Sequence, residues 1–400
     1  MRLLFSSTSG MGHFNPLVPL IDAAVARDDD VLVVGPPKLE PVLAARDQAY
    51  RIGAAPAEAE AARFRELLAK TAPDEAEGMI DREFFGRLCT AAMLPALEKA
   101  CEDWQPDLVL HETCEYSAVV AAGRHGIPHA QVAISLARVE ASALAHTAPA
   151  LEPYDSRIGD QIKASAYLTR FPPSVDPSPY PATLRFREAG PADVGRPPSA
   201  PLPDWWDGSD APLVYVTFGT MAGGTPAGDA AFRAALDAVR GLPVRVLLTA
   251  GRATDLQALG DVPANVHVEA WVPQADALAA AAVVVCHGGS GTTFGTLAAG
   301  LPLVIVPMFA DQPANARLVE SAGGGLVVEP TGGPGGRIGL PAPGDAPRIR
   351  QALELVLADG SYRQAARGLA AEMSALPTAG DLLGGLQAKL AESPRVRSEQ

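Results

Sequence analysis

The chain is poor in cysteine and in aromatic residues, and it has no long apolar run. The cysteines form no C-x-x-C pair and no metal-ligand spacing with histidine; the four of them are Cys89, Cys101, Cys114 and Cys286. This pattern predicts reduced, buried thiols in a cytoplasmic protein. No apolar stretch reaches the ~18 residues of a membrane helix, and the start carries no leader pattern. We therefore expect neither a membrane span nor a secretion signal.

Positive charge is also in short supply. The chain has 32 lysines and arginines against 46 acidic residues, and its formal net charge is −14 at pH 7. A chain of this charge is not expected to bind nucleic acid or an anionic membrane surface. Any phosphate that it binds must be held by local hydrogen-bond donors, because the overall field repels anions.

What the chain does have is a regular alternation of Val/Leu-rich runs, such as VLVVG and VVVC, with longer helical stretches. Near-continuous apolar strands separated by helices predict parallel sheets covered on both faces. Because 400 residues exceed one ordinary core, we predict an α/β protein of two Rossmann-like doubly wound domains. The domains are residues 1–190 and 211–400, joined by a proline-rich linker at 191–210, with the C-terminal helix a candidate to pack back on the first domain.

The turn after the first strand reads SGMGHFN and places His13 behind two glycines. Ligands of open parallel sheets bind at the carboxyl ends of the strands, so His13 is expected on the functional edge. The helix that follows carries a predicted core-facing stripe. Its members recur at helical spacing and are Leu17, Leu20, Ile21, Ala24 and Val25.

The stretch VVVCHGGSGTTFGTLAAG, residues 283–300, reads as a strand, a glycine-rich turn and a helix that begins near Thr292. Glycines let the main chain approach a ligand, and the helix N-terminus adds partial positive charge, which predicts a phosphate site. The side chains expected to donate further hydrogen bonds there are His287, Thr292 and Thr293. The alternative is a tight strand–helix turn that binds nothing.

Other nucleotide motifs are absent or incomplete. The chain has no GxxxxGK[ST], and Asn15 stands where a dinucleotide fingerprint needs its third glycine. Asp30 lies about 20 residues beyond the first glycine, as in a dinucleotide-binding motif, which leaves a hydride-transferring enzyme as an alternative hypothesis. The D-x-D pattern of Asp28 and Asp30 precedes the second strand and is expected to be a solvated loop. We predict no metal site.

Taken together, three segments resemble the bacterial, natural-product branch of the GT1 class of GT-B glycosyltransferases. They are GMGHFNPLVPL, VYVTFGT and WVPQADALAAAAVVVCHGGSGTTFGTLAAGLPLVIVPMFADQPANA. The resemblance implies an N-terminal acceptor domain, a C-terminal nucleotide-sugar domain and a cleft between them. It also implies an inverting sugar transfer that needs no cofactor and no metal.

The resemblance assigns roles to individual positions. His13 matches the general base, Trp271 the residue that faces the nucleobase, and Val272 a main-chain partner of the base. The other matches are the diphosphate positions His287, Gly288, Gly289, Ser290, Gly291 and Thr292, the sugar-binding pair Asp311 and Gln312, and Gly219 and Thr220 beside the phosphates.

A histidine base needs a carboxylate that orients it and stabilises the imidazolium. Glu112 directly follows the apolar run LVL and is the expected partner, with Glu115 as the alternative. Asp107 precedes the strand and lies at the wrong end. His111, next to Glu112, is equally compatible with a packed and with a surface position.

One departure from the family pattern bears on the donor. Plant relatives have a glutamate for the ribose hydroxyls where this chain has Gly295, which favours a dTDP-sugar over a UDP-sugar. The expected acceptor is a small aromatic or polyketide-like molecule. Two alternatives stay open, a nucleotide-sugar epimerase and a non-catalytic nucleotide-sugar-binding partner subunit. The sequence does not fix the sugar or the oligomeric state, a homodimer included.

Overall fold

A computed structural model describes residues 1–187, 201–219, 225–252, 254–332 and 340–392. The chain divides into two compact units. Unit 1 comprises Met1–Arg196 and Ala375–Gln400, and unit 2 comprises Pro197–Ser374. Thr220 and residues 191–200 of the predicted linker lie outside the described residues.

Unit 1 contains a seven-stranded, wholly parallel sheet. Its strands are β1 Arg2–Ser6, β2 Asp30–Gly35, β3 Ala49–Ile52, β4 Leu108–Glu112, β5 His129–Val132, β6 Ala166–Thr169 and β7 Thr183–Arg185. Their order in the sheet is β3-β2-β1-β4-β5-β6-β7. The order reverses direction beside β1, as in a doubly wound fold.

Helices flank this sheet and bury its apolar residues in two clusters. They are α1 Met11–Phe14, α2 Val18–Ala26, α3 Glu40–Ala44, α4 Glu58–Lys70, α5 Pro73–Met79, α6 Thr90–Trp104, α7 Tyr116–Arg124, α8 Ala137–Leu151, α9 Ile158–Ala164 and the last helix of the chain, α16 Ala379–Glu392. A π-helical stretch, Ile80–Cys89, joins α5 to α6. Helix α16 packs against α2 within unit 1.

Four of the five residues of the predicted stripe behind His13 are buried: Leu17, Leu20, Ile21 and Ala24. Val25 is the exception, since 46% of it is exposed, and its inclusion was wrong. Eight residues along a helix correspond to a rotation of about 80° from the starting position. Val25 therefore lies beyond the edge of the stripe, near the end of α2.

Unit 2 contains a six-stranded parallel sheet. Its strands are β8 Leu213–Thr217, β9 Arg245–Thr249, β10 Val266–Glu269, β11 Val283–Cys286, β12 Leu303–Ile305 and β13 Gly325–Val327, in the order β10-β9-β8-β11-β12-β13. Its helices are α10 Pro226–Val239, α11 Gln274–Ala280, α12 Ser290–Ala298, α13 Gln312–Ser321, α14 Ala346–Ala358 and α15 Gly360–Ser374. The predicted pair of doubly wound α/β domains is thus confirmed.

Short 3-10 segments complete the secondary structure at Asn15–Leu17, Pro37–Leu39, Leu256–Leu259 and Pro343–Asp345. The apolar runs of the sequence did not include four strands, β3, β6, β7 and β13. Strands β3, β7 and β13 are short edge strands, and β6 is a buried strand of only four residues. Among the described residues, none of the helices combines the length and hydropathy that crossing a bilayer requires.

Each of the two sheets has an equivalent pair of neighbouring strands near its centre. In unit 1, β1 pairs with β4, and Ser6 lies opposite His111. In unit 2, β8 pairs with β11, and Thr217 lies opposite Cys286. The turns that follow these four strands are therefore neighbours at the carboxyl edge of each sheet, where ligands of such folds bind.

Candidate active site

His13 occupies the short helix α1 directly after the glycine turn. Gly10 has φ 120°, a backbone conformation that favours glycine, and its carbonyl accepts hydrogen bonds from the main-chain N–H groups of His13 and Phe14. Phe14 is fully buried and anchors the helix in the core below. The neighbouring His13 keeps 22% of its side chain exposed, so the ring remains accessible.

Glu112 ends β4, is fully buried and lies beside this ring. Its Oε1 is 3.2 Å from Nδ1 of His13 and accepts hydrogen bonds from the main-chain N–H (3.1 Å) and the hydroxyl (2.6 Å) of Thr8. Its Oε2 accepts one from the N–H of Cys114 at 2.7 Å. Burial raises the pKa of Glu112, but His13 and these donors outweigh burial and lower it below its usual value. The carboxylate is therefore anionic near neutral pH.

Glu115, the alternative partner, has a different position. It precedes α7, where its Oε1 accepts hydrogen bonds from the N–H of Ala118 at 3.3 Å and from the hydroxyl of Ser117. Burial raises the pKa of Glu115 to about 7. Its carboxyl group caps a helix, and the ion-pair contact to His13 is made by Glu112.

His111 is a packed residue. It is buried, its Nδ1 lies 3.0 Å from the carbonyl of Glu112, and its Nε2 lies 3.1 Å from Nδ1 of His129. Burial lowers the pKa of His111 to about 4 and that of His129 to about 3. Both rings are neutral near pH 7 and belong to the sheet.

The π-helical stretch Ile80–Cys89 borders the ring of His13. The ring centroids of His13 and Phe85 are 5.3 Å apart, whereas Phe84 stacks on Phe64 at 5.4 Å. Wide helical turns of this kind occur frequently at functional sites. Of the aromatic residues in this stretch, Phe85 is the one whose ring contacts His13.

In unit 2, the glycine turn leads straight into α12. Helix α12 begins at Ser290, two residues earlier than the predicted start near Thr292. The residue before the helix is Gly289, which has no side chain to cap the first turn. The first N–H groups of a helix have no intrahelical acceptor, so those of Ser290, Gly291 and Thr292 suit an anion.

Glycine is required at two positions of this turn. Gly288 has φ 88°, and a Cβ there would lie 2.8 Å from Cγ2 of Ile305. A Cβ on Gly289 would lie 2.5 Å from Nε2 of His287. Around Gly291, in contrast, no atom lies within 4 Å of such a Cβ, which leaves space on its outer side.

The predicted contribution of Thr293 to ligand binding is wrong. Thr293 is fully buried and lies on the inner face of α12, because the helix starts earlier than predicted. Thr292, one residue before, is half-buried.

His287 is partly buried between the two strand ends of unit 2. Burial lowers its pKa to about 4, against the attraction of Asp311 and a hydrogen bond with the main chain of Thr217. The imidazole is therefore neutral near pH 7. A Cβ on Gly219, which has φ 77°, would lie 2.8 Å from Cε1 and Nε2 of this ring. Glycine at 219 thus makes room for His287.

Asp311 holds the glycine turn to the start of α13, and Gln312 holds the loop that precedes this helix. Oδ2 of Asp311 accepts hydrogen bonds from the hydroxyl of Ser290 at 2.6 Å and from Nδ2 of Asn315 at 3.0 Å. The same amide of Asn315 donates to the carbonyl of Gly288 at 2.8 Å. Oε1 of Gln312 accepts from the N–H groups of Met308 and Phe309. These side chains therefore shape the turn in addition to any contact with a sugar.

Trp271 stands at the surface of unit 2, with 52% of it exposed, and Val272 after it is half-buried. The guanidinium carbon of Arg252 lies 4.8 Å from the centroid of the Trp271 ring, a cation–π contact. The sequence analysis missed three residues of these sites. Thr8 and Asn315 hold the carboxylates, and Arg252 covers the tryptophan. Asn315 lies within the quoted ADQPANA segment, where it was given no role, and the other two lie outside the quoted segments.

Comparison with known proteins gives a consistent result. Residues 233–388 match the family model described as the C-terminal domain of erythromycin biosynthesis protein CIII-like proteins. Elloramycin glycosyltransferase ElmGT of Streptomyces olivaceus is 32% identical over 415 residues, with 96% of this chain and 97% of the relative covered. The L-demethylnoviosyl transferase of Streptomyces niveus is 30% identical over 401 residues, covering 97% and 98%.

Among solved structures, the chain is similar to SsfS6, a glycosyltransferase of Streptomyces sp. SF2575, in complex with thymidine diphosphate. The TM-score is 0.73 at 26% identity, and the match covers 97% of this chain and 99% of that one. The two-unit architecture described above is therefore that of GT-B glycosyltransferases.

Proposed function

Because the chain belongs to the GT1-class glycosyltransferases of natural-product pathways, we propose that it is an inverting enzyme with His13 as its general base. The proposed substrates are a nucleotide-diphosphate sugar and a hydroxyl group of a small aromatic or polyketide-like aglycone. The observation that carries this proposal is the pairing of an accessible imidazole with a buried, anionic carboxylate.

The proposed base atom is Nε2 of His13. With Nδ1 directed at Glu112, the neutral ring carries its proton on Nδ1 and keeps Nε2 as the acceptor for the hydroxyl proton. As the hydroxyl oxygen attacks the anomeric carbon, the ring becomes an imidazolium. The negative charge of Glu112 stabilises this cation, as the aspartate does in a catalytic triad.

Unit 2 is proposed to bind the donor. The leaving diphosphate gains one negative charge as its bond to the anomeric carbon breaks, and the outward N–H groups at the start of α12 are suited to stabilise that charge. The neutral His287 contributes a hydrogen bond rather than a charge. We propose that these groups stabilise the leaving group without a metal ion, and that the nucleobase stacks on Trp271.

For the donor nucleotide we propose dTDP in preference to UDP. Around Gly295 in α12, the atoms nearest to an added Cβ are Oε1 of Gln274 and Cδ1 of Leu278, both 3.9 Å away. A carboxylate that could accept hydrogen bonds from a ribose is missing at this position. The thymidine diphosphate bound to the related SsfS6 supports the same preference.

The test is His13→Ala, assayed with dTDP- and UDP-sugars and a panel of phenolic and polyketide acceptors. We expect a glycosylated product from the wild type and a fall in turnover of about a hundredfold or more in the variant, the usual contribution of a general base. Binding of thymidine diphosphate should be unchanged. The matched control is His125→Ala, which alters an exposed histidine at the end of α7 in the same unit.

Three results contradict the proposal. A His13→Ala enzyme that keeps near-normal turnover would remove the assigned base. A wild type that converts sugar nucleotides to isomers in the absence of acceptor would be an epimerase, and one that binds donor but forms no product with any acceptor would be a binding subunit.

A further inference from the structure

Three chemically different metal ligands converge at the carboxyl end of β4. Among the residues that the structure describes, His13, Glu112 and Cys114 each offer one ligand atom, and these atoms lie within 4.8 Å of one another. We propose that the three side chains form a binding site for Zn²⁺, and that the bound ion switches off the base His13.

The geometry is close to that of a zinc site. Zinc–ligand bonds of 2.0–2.3 Å in a tetrahedral arrangement place neighbouring ligand atoms about 3.3–3.6 Å apart. Nδ1 of His13 and Oε1 of Glu112 are already 3.2 Å apart. The third ligand, the sulfur of Cys114, lies within 4.8 Å of a ring nitrogen of His13 and of a carboxylate oxygen of Glu112, and it needs to approach by little more than about 1 Å.

The turn that carries these ligands is held on both sides. Glu112 receives three hydrogen bonds from Thr8 and from the N–H of Cys114. The hydroxyl of Thr113 donates to Oε1 of Glu140 at 2.8 Å, and Glu115 caps α7. Cys114 therefore projects from a fixed backbone, which lowers the ordering cost of binding an ion.

The donor set favours zinc over magnesium. Imidazole nitrogen and thiolate sulfur suit zinc, whereas magnesium requires oxygen ligands in an octahedron. On binding, the Cys114 thiol releases its proton to water, and the new thiolate and the Glu112 carboxylate together neutralise the charge of the dication. Three protein ligands leave the fourth position of the tetrahedron to a water molecule.

Zinc at this site would prevent His13 from accepting a proton, because the ion changes which ring nitrogen carries the proton. An ion bonded to Nδ1 displaces the proton from that nitrogen, and the neutral ring then carries its proton on Nε2. A protonated Nε2 cannot accept the proton of an incoming hydroxyl. This inhibitory effect rests on the proposed function, whereas the binding of the ion does not.

The first experiment measures Zn²⁺ binding to the reduced full chain by calorimetry, with no donor or acceptor present. We expect one high-affinity ion per chain, and at least about tenfold weaker binding in both Cys114→Ala and His13→Gln. The matched control is Cys101→Ala, which alters a buried cysteine of α6 in the same unit and should bind as the wild type does. Replacement by Co²⁺ should give thiolate-to-metal absorption that Cys114→Ala abolishes.

The site is refuted if the wild type binds no zinc, or if Cys114→Ala and His13→Gln both bind it with unchanged affinity. Thermal melting monitors folding, and Cys114→Ser serves as the second variant if the alanine substitution impairs folding.

The second experiment measures the rate of sugar transfer with added Zn²⁺ or Mg²⁺. The rate of each variant is normalised to its own rate without metal. We expect zinc to inhibit the wild type and not Cys114→Ala, and magnesium to inhibit neither; zinc that binds without inhibiting refutes the switch alone.

Discussion

In unit 1 the turn after β1 and the end of β4 hold His13 and Glu112, whereas in unit 2 the corresponding turn after β8 and end of β11 hold Gly219 and His287. The strand pairs are equivalent in the two sheets, and both pairs bring one imidazole to the carboxyl edge. In unit 1 the imidazole faces an anionic carboxylate at 3.2 Å. In unit 2 it lies close to the backbone of Gly219 and Gly289, just before the start of α12.

The difference shows how one architecture supports two kinds of chemistry. A carboxylate next to an imidazole favours the protonated ring, so the pair in unit 1 is suited to accepting a proton. At His287, desolvation outweighs the attraction of Asp311, so the pKa is lowered and the imidazole stays neutral. It can then donate a hydrogen bond to an anion while the glycines leave the anion room. The predictions below alter one side of this comparison at a time.

The largest effect is expected from Glu112→Gln. The substitution keeps the shape of the side chain but removes the charge that orients His13 and stabilises its cation, so turnover should fall about a hundredfold or more. Steady-state kinetics measures this as a loss in kcat, with binding of thymidine diphosphate unchanged.

The same substitution three residues away provides the control. Glu115→Gln alters a carboxyl that caps α7 and accepts hydrogen bonds from Ser117 and Ala118, so its kcat should remain within a few-fold of the wild type. If Glu115→Gln were as damaging as Glu112→Gln, the ion pair would not be the reason for the loss.

A smaller effect is expected from Gly219→Ala. The new Cβ would meet His287 at 2.8 Å and displace the ring from the proposed phosphate site. Donor affinity, measured by titration with thymidine diphosphate, should fall at least about tenfold, because the displaced ring no longer donates a hydrogen bond to a charged phosphate.

Gly241→Ala separates strain from displacement. Gly241 also has a positive φ, 70°, but no atom lies within 4 Å of its added Cβ. Both variants should lose similar stability, and only Gly219→Ala should lose donor affinity. Equal affinities in the two variants would mean that the position of His287 does not matter for the donor.

A gain of function is expected from Gly295→Glu. The surroundings of Gly295 leave space for a side chain, and a carboxylate there could accept a hydrogen bond from the ribose 2′-hydroxyl. The dissociation constant of UDP divided by that of dTDP should fall about tenfold. A change of this size corresponds to the free energy of one hydrogen bond to a charged group. Gly295→Gln, of equal size but uncharged, should shift this ratio less; an unchanged ratio in Gly295→Glu would contradict the proposed reason for the dTDP preference.

The sequence predicts those site residues that directly follow a recognisable strand. His13 and His287 both stand behind apolar strands in glycine-rich turns, and the chain direction alone places them at the carboxyl edge. The choice between Glu112 and Glu115 depends on where β4 ends and α7 begins. A glutamate three residues before Ala118 is at capping distance from its N–H, which is a signal that sequence reasoning could have used.

Other features depend on contacts that span the sequence. Thr8 reaches Glu112 across 104 positions, and Asn315 reaches Gly288 across 27. The contact of Arg252 with Trp271 joins two loops that follow neighbouring strands. Such pairs depend on sheet order and side-chain packing, neither of which leaves a periodic pattern in the sequence.

The smallest expected effect concerns stability, and it contrasts the buried carboxyls of unit 1 with the buried imidazole of unit 2. Burial raises the pKa of Glu140 to about 8, although its Oε1 accepts hydrogen bonds from Thr113, Ile134 and Ser135. A carboxyl whose folded pKa lies above its ordinary value of 4.5 stabilises the fold fully below that value, and this contribution is lost as the pH rises through about 8. Unit 1 should therefore become less stable as the pH rises from about 4.5 to about 8.

Glu140→Gln tests this contribution, because an amide resembles the protonated carboxyl and can donate a hydrogen bond to the hydroxyl oxygen of Tyr167. Calorimetric melting from pH 5 to 9 should show a falling Tm in the wild type and a flatter profile in the variant. The control Glu152→Gln, at an exposed position after α8, should follow the wild type. A Glu140→Gln profile as steep as that of the wild type would show that alkaline destabilisation has another source.

The pH dependence that His287 gives to unit 2 has the opposite sign. Because its pKa is lowered in the folded state, unit 2 loses stability as the pH falls from about 6.5 to 4.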